Sequence, residues 1–132
     1  MTTRFAVDTT AVVDLMRTER PKPPLLLRDD IEVFLPLPVL GELYVGALSS
    51  LRPEHHIADL TRVSRRWRRL LPNEETARGY AELRVRMHNV ALLSMSKTND
   101  YWIAALCVQH ELPLLTNDRG FDHIAGLSVI HW

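Results

Sequence analysis

Short apolar segments alternate with longer segments of helical character along this chain, and this alternation limits the fold more than any other feature. The apolar segments are rich in residues that favour strands, and each is long enough to cross a small sheet once. They are Phe5–Val7, Ile31–Leu35, Leu112–Leu115 and Leu127–Ile130. Strands that are separated by helices pair in parallel, with the helices covering the faces of the sheet. The sequence therefore predicts the α/β class, as a three-layer α/β/α sandwich with a small central, mainly parallel sheet.

Helical periodicity and proline positions predict five helices between these strands. Prolines open the second and third of them, where the missing N–H costs nothing, and Pro72 ends the third. The predicted helices run from Ala11 to Met16, from Pro38 to about Ser50, from Pro53 to about Leu71, from Glu74 onward, and from Tyr101 to Val108. The 132 residues show no linker or repeat, so we expect a single domain over residues 1–132.

The composition says more about the compartment in which the protein works than about its function. Sixteen basic residues balance sixteen acidic ones, so any binding of nucleic acid must use local patches of charge. The single cysteine, Cys107, lies in an apolar segment, which predicts a buried, unreactive thiol in a reducing compartment. Neither a signal peptide nor an apolar run of the ~20 residues that span a membrane is present, so we expect a soluble, cytoplasmic protein.

Three of four acidic residues stand at strand ends or helix starts, which a doubly wound sheet gathers at the edge where it binds its ligands. Asp8 follows the first strand and Asp118 follows the Leu114–Leu115 strand. Asp100 begins a helix, and Glu42 lies one turn inside another. The sequence therefore predicts that these four carboxylates form one site.

Simpler structural roles exist for three of these residues. Asp8 and Asp100 could each cap the helix that follows, and Asp118 could form a turn. Glu42 is harder to explain in this way, because its neighbours on the helix are apolar or uncharged and no basic residue shares its face. A desolvated carboxylate there requires a cation or several hydrogen-bond donors.

Converging carboxylates repel one another, and a divalent cation removes that repulsion. Ligands that are all oxygen atoms favour a hard cation, so Mg²⁺ or Mn²⁺ is expected in preference to Zn²⁺. The six histidines show no spacing typical of zinc ligands.

Arginines recur at helical spacing within the third predicted helix. They are Arg62, Arg65, Arg66 and Arg69. Leu60, Val63, Trp67 and Leu70 form the opposite, apolar side of the same helix. The basic face can be interpreted as a strip that tracks RNA phosphates beside the acidic site, or as the solvated face of an amphipathic helix.

Four segments, in this order, resemble the PIN-domain ribonucleases and specifically the VapC-type toxins of bacterial toxin–antitoxin modules. The segments are Val7–Thr10, Pro38–Gly46, Asn99–Ala105 and Leu114–Phe121. The resemblance extends from Phe5 to Ile130, and its strength comes from the order and separation of the four segments together.

The resemblance implies a metal-dependent ribonuclease that hydrolyses RNA phosphodiester bonds with Mg²⁺ or Mn²⁺. It assigns Asp8, Glu42, Asp100 and Asp118 to the acidic quartet that binds metal and carries catalysis. It also implies a supporting hydroxyl at Thr116, a homodimer, and inhibition by a small cognate antitoxin protein. Asp122 lies four residues after Asp118 and could share or take its role.

Three other functions are compatible with parts of the pattern. A housekeeping RNA-processing nuclease of the same family and an inactive PIN-like binding module would share the fold. A phospho-acceptor signalling module would need an acidic pair after the first strand and a lysine at the end of a strand. Asp8 stands alone, however, and Lys97 precedes a helix.

Overall fold

A computed structural model of the chain describes residues 2–87 and 98–132. Lys97, on which the comparison with phospho-acceptor modules partly depended, lies outside these residues. The strands are β1 (Thr3–Val7), β2 (Ile31–Pro36), β3 (Arg68–Leu70), β4 (Leu114–Leu115) and β5 (Val129–Ile130). The helices are α1 (Thr9–Met16), α2 (Leu37–Leu48), α3 (Pro53–Ser64), α4 (Glu74–Arg86) and α5 (Thr98–Gln109). Short 3₁₀ helices cover Pro24–Leu27 and Arg119–His123.

The five strands form one sheet in the order β3-β2-β1-β4-β5, and all four pairs are parallel. Helices flank this sheet, so the predicted α/β fold is confirmed. The chain builds the sheet outward from β1 through β2 to β3, and then continues on the other side of β1 with β4 and β5. The direction of winding therefore changes between β1 and β4, which is the place where doubly wound sheets bind their ligands.

The central strand is buried on both faces of the sheet. Phe5, Ala6 and Val7 of β1 have no exposed surface, and neither has Leu114 of β4. Burial on both sides explains why these strands are continuous apolar runs instead of alternating apolar and polar residues. The interior that surrounds them is rigid, so side chains attached to the ends of β1 and β4 have fixed positions.

The third predicted helix is wrong in its second half. α3 ends at Ser64, and Arg68–Leu70 forms β3, which pairs with Phe34–Pro36 of β2. Without β3, backbone groups along that edge of β2 would lack partners, and pairing there outweighs the helical periodicity of the sequence. The remaining helices lie where predicted, with shifts of a few residues at their ends.

The start of α4 shows why the predicted boundary at Glu74 is correct. The side chain of Asn73 accepts a hydrogen bond from the Thr76 N–H (3.1 Å), and the Thr76 hydroxyl accepts one from the Asn73 N–H (3.0 Å). This reciprocal pair satisfies two backbone donors that a helix start leaves open. No helix in residues 2–87 and 98–132 is long and apolar enough to cross a membrane.

Candidate functional site

Asp8 lies at the carboxyl end of β1, where the direction of winding changes. Its N–H donates to the Leu115 carbonyl of β4 (3.0 Å), so the backbone of Asp8 continues the pairing of the two central strands. The residue is only 4% exposed. Its carboxylate does not cap α1 in the usual way, although the neighbouring Thr9 N–H interacts with it and lowers its pKa. The capping interpretation therefore does not explain why a carboxylate is buried here.

Thr116 holds the Asp8 carboxylate. The Thr116 hydroxyl is fully buried and donates to Oδ2 of Asp8 (2.7 Å). The same hydroxyl oxygen accepts a hydrogen bond from the Asp118 N–H (3.0 Å). One side chain thus connects the carboxylate after β1 with the loop after β4.

Glu42 of α2 points toward the start of α1. Its Oε2 accepts a hydrogen bond from the Thr9 hydroxyl at 2.6 Å, and the residue is half-buried. The donor that Glu42 was expected to need thus comes from another helix. The negative charge of Glu42 acts on Asp8.

Asp118 combines a structural role with a place in the acidic site. One of its carboxylate oxygens accepts from the Gly120 N–H (2.9 Å), so Asp118 caps the short helix Arg119–His123. The turn-forming interpretation is therefore correct for that oxygen. The negative charge of Asp118 still acts on Asp8.

Both the burial of Asp8 and the charges around it affect the pKa of its carboxyl. Burial raises the pKa of the Asp8 carboxyl above its ordinary value, and the negative charges of Glu42 and Asp118 raise it further. The hydrogen bond from Thr116 acts in the opposite direction. Within the described part of the chain, no basic side chain forms an ion pair with Asp8. A cation from outside the chain would relieve both the burial and the repulsion.

Asp100 lies in the first turn of α5 and is half-buried. Helical spacing places it on the same face as Cys107, seven residues later. Cys107 is fully buried, and the pKa of its thiol is raised first by burial and then by the negative charge of Asp8. Cys107 therefore lies near Asp8, and the predicted inert character of Cys107 agrees with its burial.

The carboxylates do not form a closed metal cage. Across residues 2–87 and 98–132, no group of three or more His, Cys, Asp or Glu side chains is close enough to hold a metal ion. The chemistry of the donors nevertheless fits a hard divalent cation, since Asp8, Glu42 and Asp118 offer only carboxylate oxygens.

Asp122 has a different environment from Asp118. Its carboxylate lies 2.7 Å from Nε2 of His131 and 3.8 Å from the Arg119 guanidinium. Of the two residues, Asp118 is the one whose charge acts on Asp8. These contacts favour Asp118 as the fourth acidic residue and leave Asp122 as the partner of His131.

The arginines do not share one helical face, because α3 ends at Ser64, before three of the four. Arg62 lies in α3 and contacts Asp59 (3.3 Å), whereas Arg69 lies in β3 and donates to the backbone carbonyls of Ser64 and Trp67. Arg65 and Arg66 are exposed in the turn that precedes β3. Residues before a parallel strand lie toward the amino edge of the sheet, so these two lie away from the edge that carries Asp8.

A groove of about 360 Å³ opens between α1, α2 and α3. Its walls are mainly apolar and include Val13, Leu43 and Leu60. Thr9 and Glu42 also line it, so the groove reaches the acidic site.

Three residues of this region were not predicted from the sequence. Thr9 binds Glu42, Thr10 accepts a hydrogen bond from the Asn117 N–H (3.1 Å), and His131 contacts the Thr116 carbonyl. The threonines lie beside Asp8 in the first matching segment and could have been suspected. His131 gave no signal, because its partners precede it by nine and fifteen residues without any periodic pattern.

The fold and the site together define a doubly wound α/β protein with an acidic centre at the change of winding. The sequence pattern of the PIN domain matches residues 5–127, and the chain belongs to the PIN-domain family. The predicted resemblance is thus confirmed at the level of the family. No curated protein matches the chain in sequence.

Solved structures show the same fold over nearly the whole length. VapBC2 from Rickettsia felis, bound to a promoter DNA fragment, matches with a TM-score of 0.84 and 22% identity, covering 98% of both chains. DNA-bound VapBC from Salmonella typhimurium matches with a TM-score of 0.82 and 22% identity, covering 100% of this chain and 99% of the other. VapBC-5 from Mycobacterium tuberculosis, of the VapBC family of toxin–antitoxin systems, matches with a TM-score of 0.73 and 25% identity, covering 98% of both chains.

Proposed function

We propose that this protein is a metal-dependent ribonuclease and the toxin of a toxin–antitoxin module. One observation carries the proposal: the Asp8 carboxylate is buried at the change of winding, and the charges of Glu42 and Asp118 act on it without a basic partner for Asp8 in the described residues. Membership of the PIN-domain family and the full-length likeness to VapBC chains support it. A reducing cytoplasm, in which its single cysteine stays free, is the proposed compartment.

The proposed ligands of Mg²⁺ or Mn²⁺ are Asp8, Glu42, Asp100 and Asp118. When bound, such an ion lowers the pKa of water and offsets charge that develops on the phosphoryl oxygens. Thr116 fixes the orientation of the Asp8 carboxylate through its 2.7 Å hydrogen bond. A carboxylate at the position of Glu42 can accept a hydrogen bond from the attacking water. Attack by water leaves a 5′-phosphate and a 3′-hydroxyl, and it does not require the 2′-hydroxyl of RNA.

Fewer arginines are proposed to bind RNA than were predicted from the sequence alone. Arg62 and Arg69 already contact groups of the protein itself. Arg65 and Arg66 are exposed but lie away from the edge that carries Asp8, so the phosphates that we propose they bind belong to RNA that extends beyond the acidic site. Their replacement by glutamine would then weaken RNA binding and flatten its salt dependence. Unchanged salt dependence would assign these side chains to a solvated surface.

The partner that we propose is a small antitoxin protein that inserts an amphipathic helix into the apolar groove. The apolar walls between α1, α2 and α3 suit one face of such a helix, and the acidic end at Glu42 suits a guanidinium. A homodimer, which the family resemblance implies, belongs to the same proposal and is tested by the mass of the purified protein in solution.

The deciding experiment measures cleavage of RNA by the purified protein with Mg²⁺ or Mn²⁺ and with EDTA. We expect cleavage with either ion, none in EDTA, and products that carry a 5′-phosphate. Asp8→Asn should be inactive, whereas Asp29→Asn, at an exposed position, should be fully active. Full activity in EDTA, or 2′,3′-cyclic phosphate ends, would overturn the mechanism.

Expression in cells distinguishes a toxin from a housekeeping RNA-processing nuclease. A toxin should arrest growth when it is induced alone, and a small gene immediately upstream should reverse the arrest when both are expressed. Mapping RNA 5′ ends after induction, with Asp8→Asn as the control, would identify the cleaved RNA. Cleavage without growth arrest would favour the housekeeping nuclease.

A further inference from the structure

His131, directly after β5, joins two acceptor groups near the acidic site. Its Nδ1 lies 2.5 Å from the Thr116 carbonyl oxygen, and its Nε2 lies 2.7 Å from Oδ1 of Asp122. Nδ1 faces a carbonyl oxygen, which can only accept a hydrogen bond, and Nε2 faces a carboxylate oxygen. The imidazole is therefore a bridge with two fixed ends, and its side chain is only 18% exposed.

The residues after β4 are held from the side of β5 by further bonds. The Thr116 N–H donates to the Ile130 carbonyl (3.0 Å), and the Trp132 N–H donates to Oδ1 of Asn117 (3.1 Å). With the bond from His131, both backbone polar groups of Thr116 are bound by residues of β5 or just beyond it. The position of Thr116 thus depends on this segment as well as on β4.

The position of Thr116 in turn determines the position of two candidate ligands. Its hydroxyl donates to Asp8 and accepts from the Asp118 N–H. A shift of the Thr116 backbone would move its hydroxyl relative to both carboxylates. His131 itself touches neither of them, so any effect that it has on the site must pass through Thr116.

We propose that His131, tethered by Asp122, is a positioning residue for the carboxylate site. It holds the Thr116 carbonyl, and through the Thr116 hydroxyl it keeps Asp8 and the Asp118 loop in fixed positions relative to one another. This inference rests on the proposed function for the cation, but the positioning itself is a property of the metal-free protein. The competing role for His131 is a simple anchor for the end of the described chain.

The experiment compares His131→Phe, which keeps an aromatic ring and removes both ring nitrogens, with His123→Phe at an exposed position. The first measurement is amide hydrogen exchange at Thr116 and Asp118 without metal. The second is Mn²⁺ affinity by calorimetry. We expect faster exchange at both amides and a loss of Mn²⁺ affinity of about tenfold for His131→Phe, since groups that orient metal ligands typically contribute that much. His123→Phe should match the wild type.

Asp122→Ala provides a second route if His131→Phe fails to fold. It should weaken Mn²⁺ binding in the same direction, and the double variant should bind no more weakly than His131→Phe alone. Additive losses would mean that Asp122 acts on the metal independently, and would overturn the inference.

Two outcomes separate this inference from the proposed function. If His131→Phe lowers the melting temperature but leaves amide exchange at Thr116 and Mn²⁺ affinity unchanged, His131 is only an anchor. If the wild type binds no Mn²⁺, the proposed function is wrong, while the exchange rates still decide whether His131 positions Thr116.

Discussion

Asp8 is buried without a basic partner among the described residues, and this has a direct consequence for stability. Because the pKa of its carboxyl is raised in the folded protein, ionisation favours the unfolded chain. The metal-free protein should therefore lose stability as the pH rises above the ordinary value of 3.8 and through the raised folded pKa. Each unit of such a shift corresponds to about 1.4 kcal/mol.

Replacing Asp8 by asparagine removes this effect. We expect Asp8→Asn to be at least as stable as the wild type at pH 7 in EDTA, because Asn can still accept from the Thr116 hydroxyl. The advantage should vanish below pH 3.8, where the wild-type carboxyl is also neutral. Thermal unfolding across this pH range tests the prediction, with Asp29→Asn as the control. A variant that is less stable at every pH would point to a structural role for the carboxylate.

Metal should reverse the order of stability. Mn²⁺ at 100 times its Kd should stabilise the wild type by about 2.7 kcal/mol, since it binds only the folded protein. Asp8→Asn and Asp100→Asn should respond little. Melting curves with and without Mn²⁺ measure this, and an equal rise in the variants would exclude these carboxylates as ligands.

Thr116 should be sensitive to the loss of one oxygen atom. Thr116→Val keeps the shape of the side chain but leaves the buried Asp8 carboxylate and the Asp118 N–H without their partner. We expect a loss of about 1–3 kcal/mol in urea unfolding, the typical cost of an unsatisfied buried group. Thr116→Ser retains the hydroxyl and should lose less. Equal losses in both variants would assign the effect to the missing methyl contacts instead.

Among the strands and helices, the sequence predicted those that are determined by residues close together in the chain. β1, β2 and α2 were predicted because each has a periodicity or a proline that acts within a few residues. β3 was missed, because Arg68 and Arg69 are exposed and continue the helical pattern of α3. Only the neighbouring edge of β2, more than thirty positions earlier in the chain, makes this segment a strand.

In the candidate site, too, local features were predicted from the sequence and contacts between distant segments were not. Asp8, Glu42, Asp100 and Asp118 could be selected because strand ends and helix starts are visible in the sequence. The bond from Thr9 to Glu42 and the bridge through His131 could not, since they depend on how distant segments pack. One prediction was wrong: the four arginines have helical spacing but do not lie on one helix.

The reciprocal hydrogen bonds between Asn73 and Thr76 should stabilise the start of α4. Asn73→Ala removes the acceptor for the Thr76 N–H and should cost about 1 kcal/mol of stability. Asn73→Asp keeps an acceptor and should retain most of it. Chemical denaturation measures both, and equal losses would show that the Oδ1 acceptor of Asn73, which both the Thr76 N–H and Gln109 use, is not what stabilises this end of the helix.

At the level of the whole molecule, the groove and the acidic site predict how the protein is controlled. An antitoxin helix in the groove would bring an arginine or lysine to the carboxylates and displace metal. Its affinity should therefore fall as Mn²⁺ or Mg²⁺ concentration rises, and an inhibitor with that basic residue changed to alanine should lose this dependence. Titration of inhibitor binding against metal concentration tests the competition.

Variants of the protein would locate the binding site of the proposed inhibitor. Val13→Glu places a charge in the groove and should weaken inhibition, whereas Val85→Glu, on the exposed side of α4, should not. An inhibitor that is insensitive to metal and to Val13→Glu would act by another route, such as covering the RNA.

The position of β4 beside β1 also has a consequence for synthesis on the ribosome. Asp8 is among the first residues to be made, but its partner Thr116 follows 108 positions later. A nascent chain therefore carries half of its acidic centre long before β4 emerges and completes it. On the proposed function, the polypeptide would be unable to cut the message that encodes it, or the RNA of the ribosome that produces it, throughout most of translation.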